Sequence, residues 1–203
     1  MTKLSSLTVV LILLALGLYA PAQNQTVPKT GAPPQIEVQP NPDITFSRVL
    51  SGAVMHLQRV LMPLALAMPD DRYGFAPTNG EFKGVRTFAG QLKHVAATNY
   101  RYASAILGEK TPAEVSEEDA GPASLKTKTE ILKYLNDSFS YVQKAIATVD
   151  GKNVISPIKS PFGEGPATRL AMVTLIIGHC YDHYGQLVEY ARMNGIVPPA
   201  SQQ

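Results

Sequence analysis

The chain has 203 residues, 45% of them hydrophobic and 17% charged, which is typical of a globular protein long enough to bury one core. Its formal net charge is only +2, and it contains no run of Lys or Arg, which argues against nucleic acid as a partner. The single cysteine, Cys180, excludes an intrachain disulfide and a CxxC metal or redox motif.

The N-terminus has the pattern of an export signal. Lys3 precedes an apolar run of 12 residues from Leu7 to Leu18. Ala20-Pro21-Ala22 then places small residues at the two positions that a signal peptidase recognises. The run is shorter than the ~20 apolar residues that cross a bilayer. We therefore predict a signal peptide over 1–22, cleaved after Ala22, and an exported protein, periplasmic or secreted. The alternative is an uncleaved anchor; no other segment is expected to span a membrane.

The rest of the chain divides into a lead-in and four helical stretches. Residues 23–42 are polar and Pro-rich and are expected to be flexible. Beyond them, apolar residues recur at spacings of three and four, which predicts amphipathic helices. The first begins at an N-cap, Asp43, and is kinked or shortened near Pro63. The others are expected over Thr87–Gly108, Lys126–Val149 and Ala167–Met193.

No strand is predicted, and the expected fold is all-α, a four-helix bundle with long inter-helix loops. Each helix carries one stripe of residues expected to be buried in the bundle core. These stripes are Phe46, Leu50, Val54, Leu57, Leu61 and Leu64; Phe88, Leu92, Val95, Tyr102 and Ile106; Ile131, Leu135, Phe139, Val142 and Ile146; and Met172, Leu175, Ile176, His179, His183, Gln186, Leu187 and Tyr190.

Two of the four histidines lie four residues apart in the last helix. At that spacing His179 and His183 differ by about 40° in direction and about 6 Å in height, so both imidazoles can bind one metal ion. His94 falls on the stripe of the second helix that is expected to face them. If the two helices are neighbours, three imidazoles meet and leave coordination positions open. The alternative is a hydrogen-bonded histidine pair at a bundle end.

Other polar residues near these histidines are candidates for supporting roles. Gln91 and Gln186 lie three positions from His94 and His183, so they share the same helix faces. Asp182 either orients a histidine or is solvated.

Three further features are assigned no direct role in metal binding. Cys180 is expected to be a small buried residue, and His56 to be partly exposed or to cap a helix. The acidic residues of the loop after the second helix are expected to face solvent: Glu114, Glu117, Glu118 and Asp119.

Two motifs resemble the signatures of a known family. The run RTFAGQLKHVA at 86–96 looks like the second-helix signature of the DinB-like superfamily, and HCYDHYGQL at 179–187 looks like its HxxxHxGQL signature. The segments MPDDRYGFAPT at 68–78 and YARMNGIVPP at 190–199 continue the match. The resemblance covers residues 43–200, which we expect to form one domain.

The resemblance implies a bundle that binds a divalent metal, Zn²⁺, Ni²⁺ or Fe²⁺, through His94, His179 and His183. The family is similar in fold to bacillithiol S-transferases and mycothiol-dependent maleylpyruvate isomerase, in which the metal activates the thiol of a low-molecular-weight cofactor. A metal-dependent hydrolase or a thiol-dependent S-transferase is therefore implied, with neither catalytic residues nor substrate identified. Such bundles often form homodimers. The alternative is a non-catalytic bundle that binds a metal or a small molecule.

Overall fold

The computed structural model describes residues 43–202, apart from residues 79, 81–83 and 164. The signal peptide predicted over 1–22 and the lead-in over 23–42 lie outside the described residues. The described chain forms four helices: α1 (Phe46–Ala67), α2 (Phe88–Leu107), α3 (Lys128–Ile146) and α4 (Arg169–Met193). The predicted all-α, four-helix fold is therefore confirmed.

A threonine begins each of the four helices. The hydroxyls of Thr45, Thr87, Thr127 and Thr168 each accept a hydrogen bond from the backbone N–H three residues further on. Each bond satisfies one of the N–H groups that a helix leaves without a partner at its start. The N-cap predicted at Thr87 is confirmed, whereas the one predicted at Asp43 is wrong, because Thr45 takes that role.

The first helix continues for a full turn beyond Pro63 and ends at Ala67. This helix is long enough to cross a membrane, and its mean hydropathy of 1.4 is high enough. The prediction that no segment after the signal has the length and composition of a membrane span is therefore wrong. In this fold α1 packs against α3 and α4, and Val54, Leu57 and Leu61 are fully buried. One face of α1 is therefore buried in the bundle core, whereas Val49, Met55 and Leu66 are 58%, 50% and 56% exposed.

Helix α2 packs against α3 and α4, and α1 packs against the same two helices. The predicted stripes of α2 and α3 are buried throughout. On the other two helices Phe46 and Leu175 are 48% and 42% exposed, so they were wrongly assigned to the core. Phe46 is the first residue of α1, and Leu175 lies at the edge of a stripe whose centre is Ile176.

A short antiparallel ribbon precedes α4. Strand β1 (Pro157–Lys159) pairs with β2 (Pro166–Thr168), with Ile158 opposite Ala167. The prediction of no strand is wrong here, because strands of three residues are too short to show an alternating pattern. The ring of Phe162, in the connecting turn, packs edge-on against Tyr102 of α2, with 5.6 Å between centroids. The ribbon is thus held against α2.

Replacing Thr127 tests the capping of α3, where a reciprocal pair operates. Glu130 Oε2 accepts from the Thr127 backbone N–H at 2.9 Å, while Thr127 Oγ1 accepts from the Glu130 N–H. We expect Thr127→Ala to lower the free energy of unfolding by about 1 kcal/mol in urea denaturation. The control is Thr129→Ala, an exposed position inside the same helix, which should not destabilise because alanine is the better helix former. Equal losses in both variants would contradict the capping role.

Candidate metal centre

The contact between α2 and α4 brings three imidazoles together. His179 Nε2 lies 3.1 Å from His94 Nε2 and 3.1 Å from His183 Nε2. One ring nitrogen from each histidine lies within 4.8 Å of the other two, and the three can hold a metal ion. The spacing of four residues on α4 and the adjacency of α2 to α4 produce this arrangement.

The three rings are neutral at neutral pH because they are shielded from solvent. Burial, together with the neighbouring histidines, lowers the pKa of His179 to about 3 and that of His183 to about 4. Burial also lowers the pKa of His94, although its contact with Asp119 opposes the shift. His183 is only 6% exposed, whereas His94 and His179 are half-buried. The nitrogen lone pairs are therefore available to a cation without loss of protons.

A backbone carbonyl fixes the orientation of His94. Its Nδ1 lies 2.8 Å from the carbonyl oxygen of Asp119. A carbonyl can only accept, so Nδ1 carries the hydrogen and Nε2 presents its lone pair to the other two rings. A hydrogen bond from the ring nitrogen that does not bind the metal is the usual support of a metal-binding histidine. The Nδ1 atoms of His179 and His183 have no hydrogen-bond partner among the described protein groups, so no bond of this kind orients those two rings.

One residue of the loop that supplies this carbonyl, Asp119, was misjudged from the sequence. Glu114 and Glu118 are exposed, as predicted for the acidic residues of this loop, but the Asp119 side chain is only 14% exposed and binds Arg101 at 2.7 Å. Burial raises the pKa of the Asp119 carboxyl, and Arg101 opposes that shift. Ser116, Glu118 and Asp119 all have positive φ, near +55°, a conformation that costs a non-glycine residue free energy.

The strained loop is tied down on both sides. Ser116 Oγ donates to the carbonyl of Gly121, and Lys93 Nζ donates to the carbonyl of Pro122. Gly121, with φ +73°, lies so close to Lys93 that a Cβ there would be 2.9 Å from the Lys93 Cβ. Because Lys93 precedes His94, the loop is packed directly against the backbone that carries the ligand. This contact joins distant parts of the chain, and no periodic signal in the sequence could have revealed it.

The two glutamines bridge the helices beside the histidines. Gln91 Nε2 donates to Gln186 Oε1 at 2.7 Å, and Gln186 Nε2 donates to Asp182 Oδ2 at 3.0 Å. Their predicted position next to the centre is correct, but within the described chain their bonds go to one another and to Asp182 rather than to a ring nitrogen. Asp182 is itself exposed, which agrees with the second of its two predicted roles, that of a solvated carboxylate.

The two remaining candidates lie outside this centre. His56 is exposed on α1. Cys180 is fully buried, its thiol donates to Asn99 Oδ1, and burial raises the pKa of that thiol to about 12. A thiol in that state is neither a nucleophile nor a metal ligand at neutral pH.

The donor set suits a divalent transition metal. Nitrogen atoms bound at about 2.0–2.1 Å to a tetrahedral zinc ion lie about 3.3 Å from one another. The two Nε2 separations here, both 3.1 Å, are close to that value. Three neutral imidazoles accept Zn²⁺, Ni²⁺ and Fe²⁺ alike, so the donors leave the identity of the metal open.

Replacing Gly121 tests whether the loop supports the centre. Gly121→Ala forces a contact with Lys93 and should shift the Asp119 carbonyl away from His94, lowering zinc affinity about tenfold. The control is Gly195→Ala, which has the same φ of +73° but nothing within 4 Å of the added Cβ. Both variants bear the cost of a left-handed alanine, so equal zinc affinities in competition titrations would refute a role for the loop.

Two solved structures are similar to this chain in fold. A DinB-like protein from Bacillus cereus has a TM-score of 0.59 and 15% identity, covering 76% of this chain and 96% of that one. A conserved protein from Enterococcus faecalis has a TM-score of 0.60 and 15% identity, covering 74% of this chain and 97% of that one. At such identities the likeness concerns the fold alone. No curated protein matches this chain.

The family comparison covers most of the bundle. The model of the DinB superfamily matches residues 54–187, a segment that includes His94, His179 and His183. It therefore spans more than half of the chain and agrees with the resemblance noted in the sequence motifs. This chain belongs to the DinB superfamily.

Proposed function

We propose that this protein is an exported metal-dependent enzyme in which His94, His179 and His183 hold one divalent cation. The observation that supports the proposal is the convergence of three neutral ring nitrogens at the α2–α4 contact. With three protein ligands, the ion keeps positions for water or substrate, as in catalytic rather than structural zinc sites. His94 and His179 are only half-buried, which gives solvent and substrate access to these positions.

A divalent cation bound here would supply a Lewis acid that lowers the pKa of a coordinated water or thiol. The chain's own residues hold and orient it: His94 is fixed by the Asp119 carbonyl, and the glutamine pair joins α2 to α4 beside it. Hydrolysis by activated water is the reaction class we favour over S-transfer. Low-molecular-weight thiols are chiefly cytosolic, and the N-terminal sequence predicts export.

The alternative function is a non-catalytic metal- or small-molecule-binding bundle. One observation favours it: the segment between His179 and His183 is Cys180-Tyr181-Asp182, which lacks the glutamate that serves as general base in HExxH sites. Asp182, the acidic residue of that segment, is exposed and bound to Gln186. Proton transfer would then depend on substrate or solvent.

Metal analysis tests the proposal directly. The complete chain is expressed without a polyhistidine tag, purified without chelators and analysed by mass spectrometry of the metals. We expect about one equivalent of divalent metal in the parent and almost none in His179→Ala/His183→Ala, because two of three ligands are lost. His56→Ala removes an exposed histidine of α1 and should leave the metal content unchanged.

The two functions differ in what metal removal does to folding. If the site is catalytic, the chelated protein keeps its helical circular dichroism and loses activity in an esterase, amidase and thiol-transfer screen, which zinc restores. A structural ion makes folding itself depend on metal. Absence of metal from the parent even after reconstitution would refute both metal-dependent functions.

Intact mass tests the proposed export. Cleavage after Ala22 predicts that the protein recovered from the periplasm or medium begins at Gln23. A substitution of Ala22 by a bulky residue should block cleavage and retain the precursor at the membrane. Recovery of the uncleaved chain in the cytoplasm would contradict the proposal.

A further inference from the structure

A large cleft lies apart from the histidines, between the C-terminal half of α2 and the β1–β2 ribbon. Its volume is about 760 Å³, and none of the three histidines lines it. That volume falls within the range of sites for small molecules, about 300–1,000 Å³. The cleft is partly open to solvent, so a ligand can enter without a change in the fold.

Positive charge dominates the described lining. Arg101 comes from α2, Lys110 from the loop after it, Lys159 from β1 and Arg169 from the start of α4. The lining holds one described carboxylate, Glu109, which already accepts hydrogen bonds from Tyr141 and Lys144 outside the cleft.

The four cationic side chains differ in whether they already bind another protein group. Arg101 binds Asp119, and Arg169 donates to the carbonyl of Asn153 at 3.4 Å. Lys110 and Lys159 have exposed side chains, and neither forms an ion pair with a described residue. Two lysines without a described counterion in the lining of one cleft favour an anionic occupant.

The rest of the lining combines apolar residues with the hydroxyl side chains of Ser104, Thr111 and Ser160. Ala105 of α2, Ile158 of β1 and Pro161 of the turn contribute half-buried apolar surface to the same cleft. A ligand that fills it therefore needs an apolar part as well as an anionic group. Free inorganic phosphate or acetate would leave most of this volume unused.

We propose that this cleft binds a small organic anion, with its carboxylate or phosphate between Lys110 and Lys159 and its apolar part against Ile158. This site is separate from the metal centre, and the proposal does not depend on metal binding.

Calorimetric titration of the intact, purified protein tests the proposal. The probes are octanoate, octyl phosphate and octanamide, which share a chain and differ in the head group. We expect both anions to bind and the neutral amide to bind at least about tenfold more weakly. The stronger of the two anions identifies the head group. Octanamide binding as tightly as octanoate, or no binding by any probe at millimolar concentration, would overturn the proposal.

Charge-matched variants locate the binding site. Lys110→Gln/Lys159→Gln removes the two lysines of the cleft and should weaken octanoate binding roughly tenfold at low ionic strength. The control, Lys126→Gln/Lys152→Gln, removes the same charge from exposed lysines outside the cleft lining. It should change the affinity for octanoate by less than about twofold. All four side chains are exposed, so both variants should fold. Equal losses in the two variants would refute this location.

Discussion

Three imidazoles share one half-buried space at the α2–α4 contact, and their neutrality is the constraint on which the surrounding structure depends. Protonating any ring would place a charge beside two other nitrogens in a poorly solvated site, which is why burial lowers all three pKa values. The partner of His94 is accordingly a backbone carbonyl, while the Asp119 carboxylate of the same residue binds Arg101. A carboxylate directed at the ring would instead have favoured the charged imidazolium.

The histidines are supported unequally. His94 is oriented by a hydrogen bond from a loop that holds three non-glycine residues at positive φ, whereas His179 and His183 are placed by one continuous helix. Strain of this kind persists only where surrounding contacts over-determine it. Here those contacts are the Ser116–Gly121 bond and the close packing of Gly121 on Lys93. These contacts therefore offset the strain of the loop and hold the ring of His94 in position.

Helical periodicity accounts for what could be predicted from the sequence. It identified four helices and placed His94 on the face of α2 towards His179 and His183, because burial of one stripe sets the direction of every residue on a helix. Features that lack a helical period were missed. Local backbone geometry decides that Thr45 rather than Asp43 caps α1. The β1–β2 ribbon depends on the pairing of only six residues, and the role of Asp119 depends on a loop that has no repeating pattern.

Arg101 connects the two sites physically. It lies two helical turns from His94 on α2, its guanidinium binds the Asp119 carboxylate, and it also lines the cleft. An anion between Lys110 and Lys159 would share the cleft with that guanidinium, attract it away from Asp119 and so bear on the loop that orients His94. Coupling of this kind is reciprocal: whatever change an anion makes to metal affinity, the metal must make to anion affinity. The Arg101–Asp119 pair is therefore the element through which the cleft and the histidine centre would affect each other.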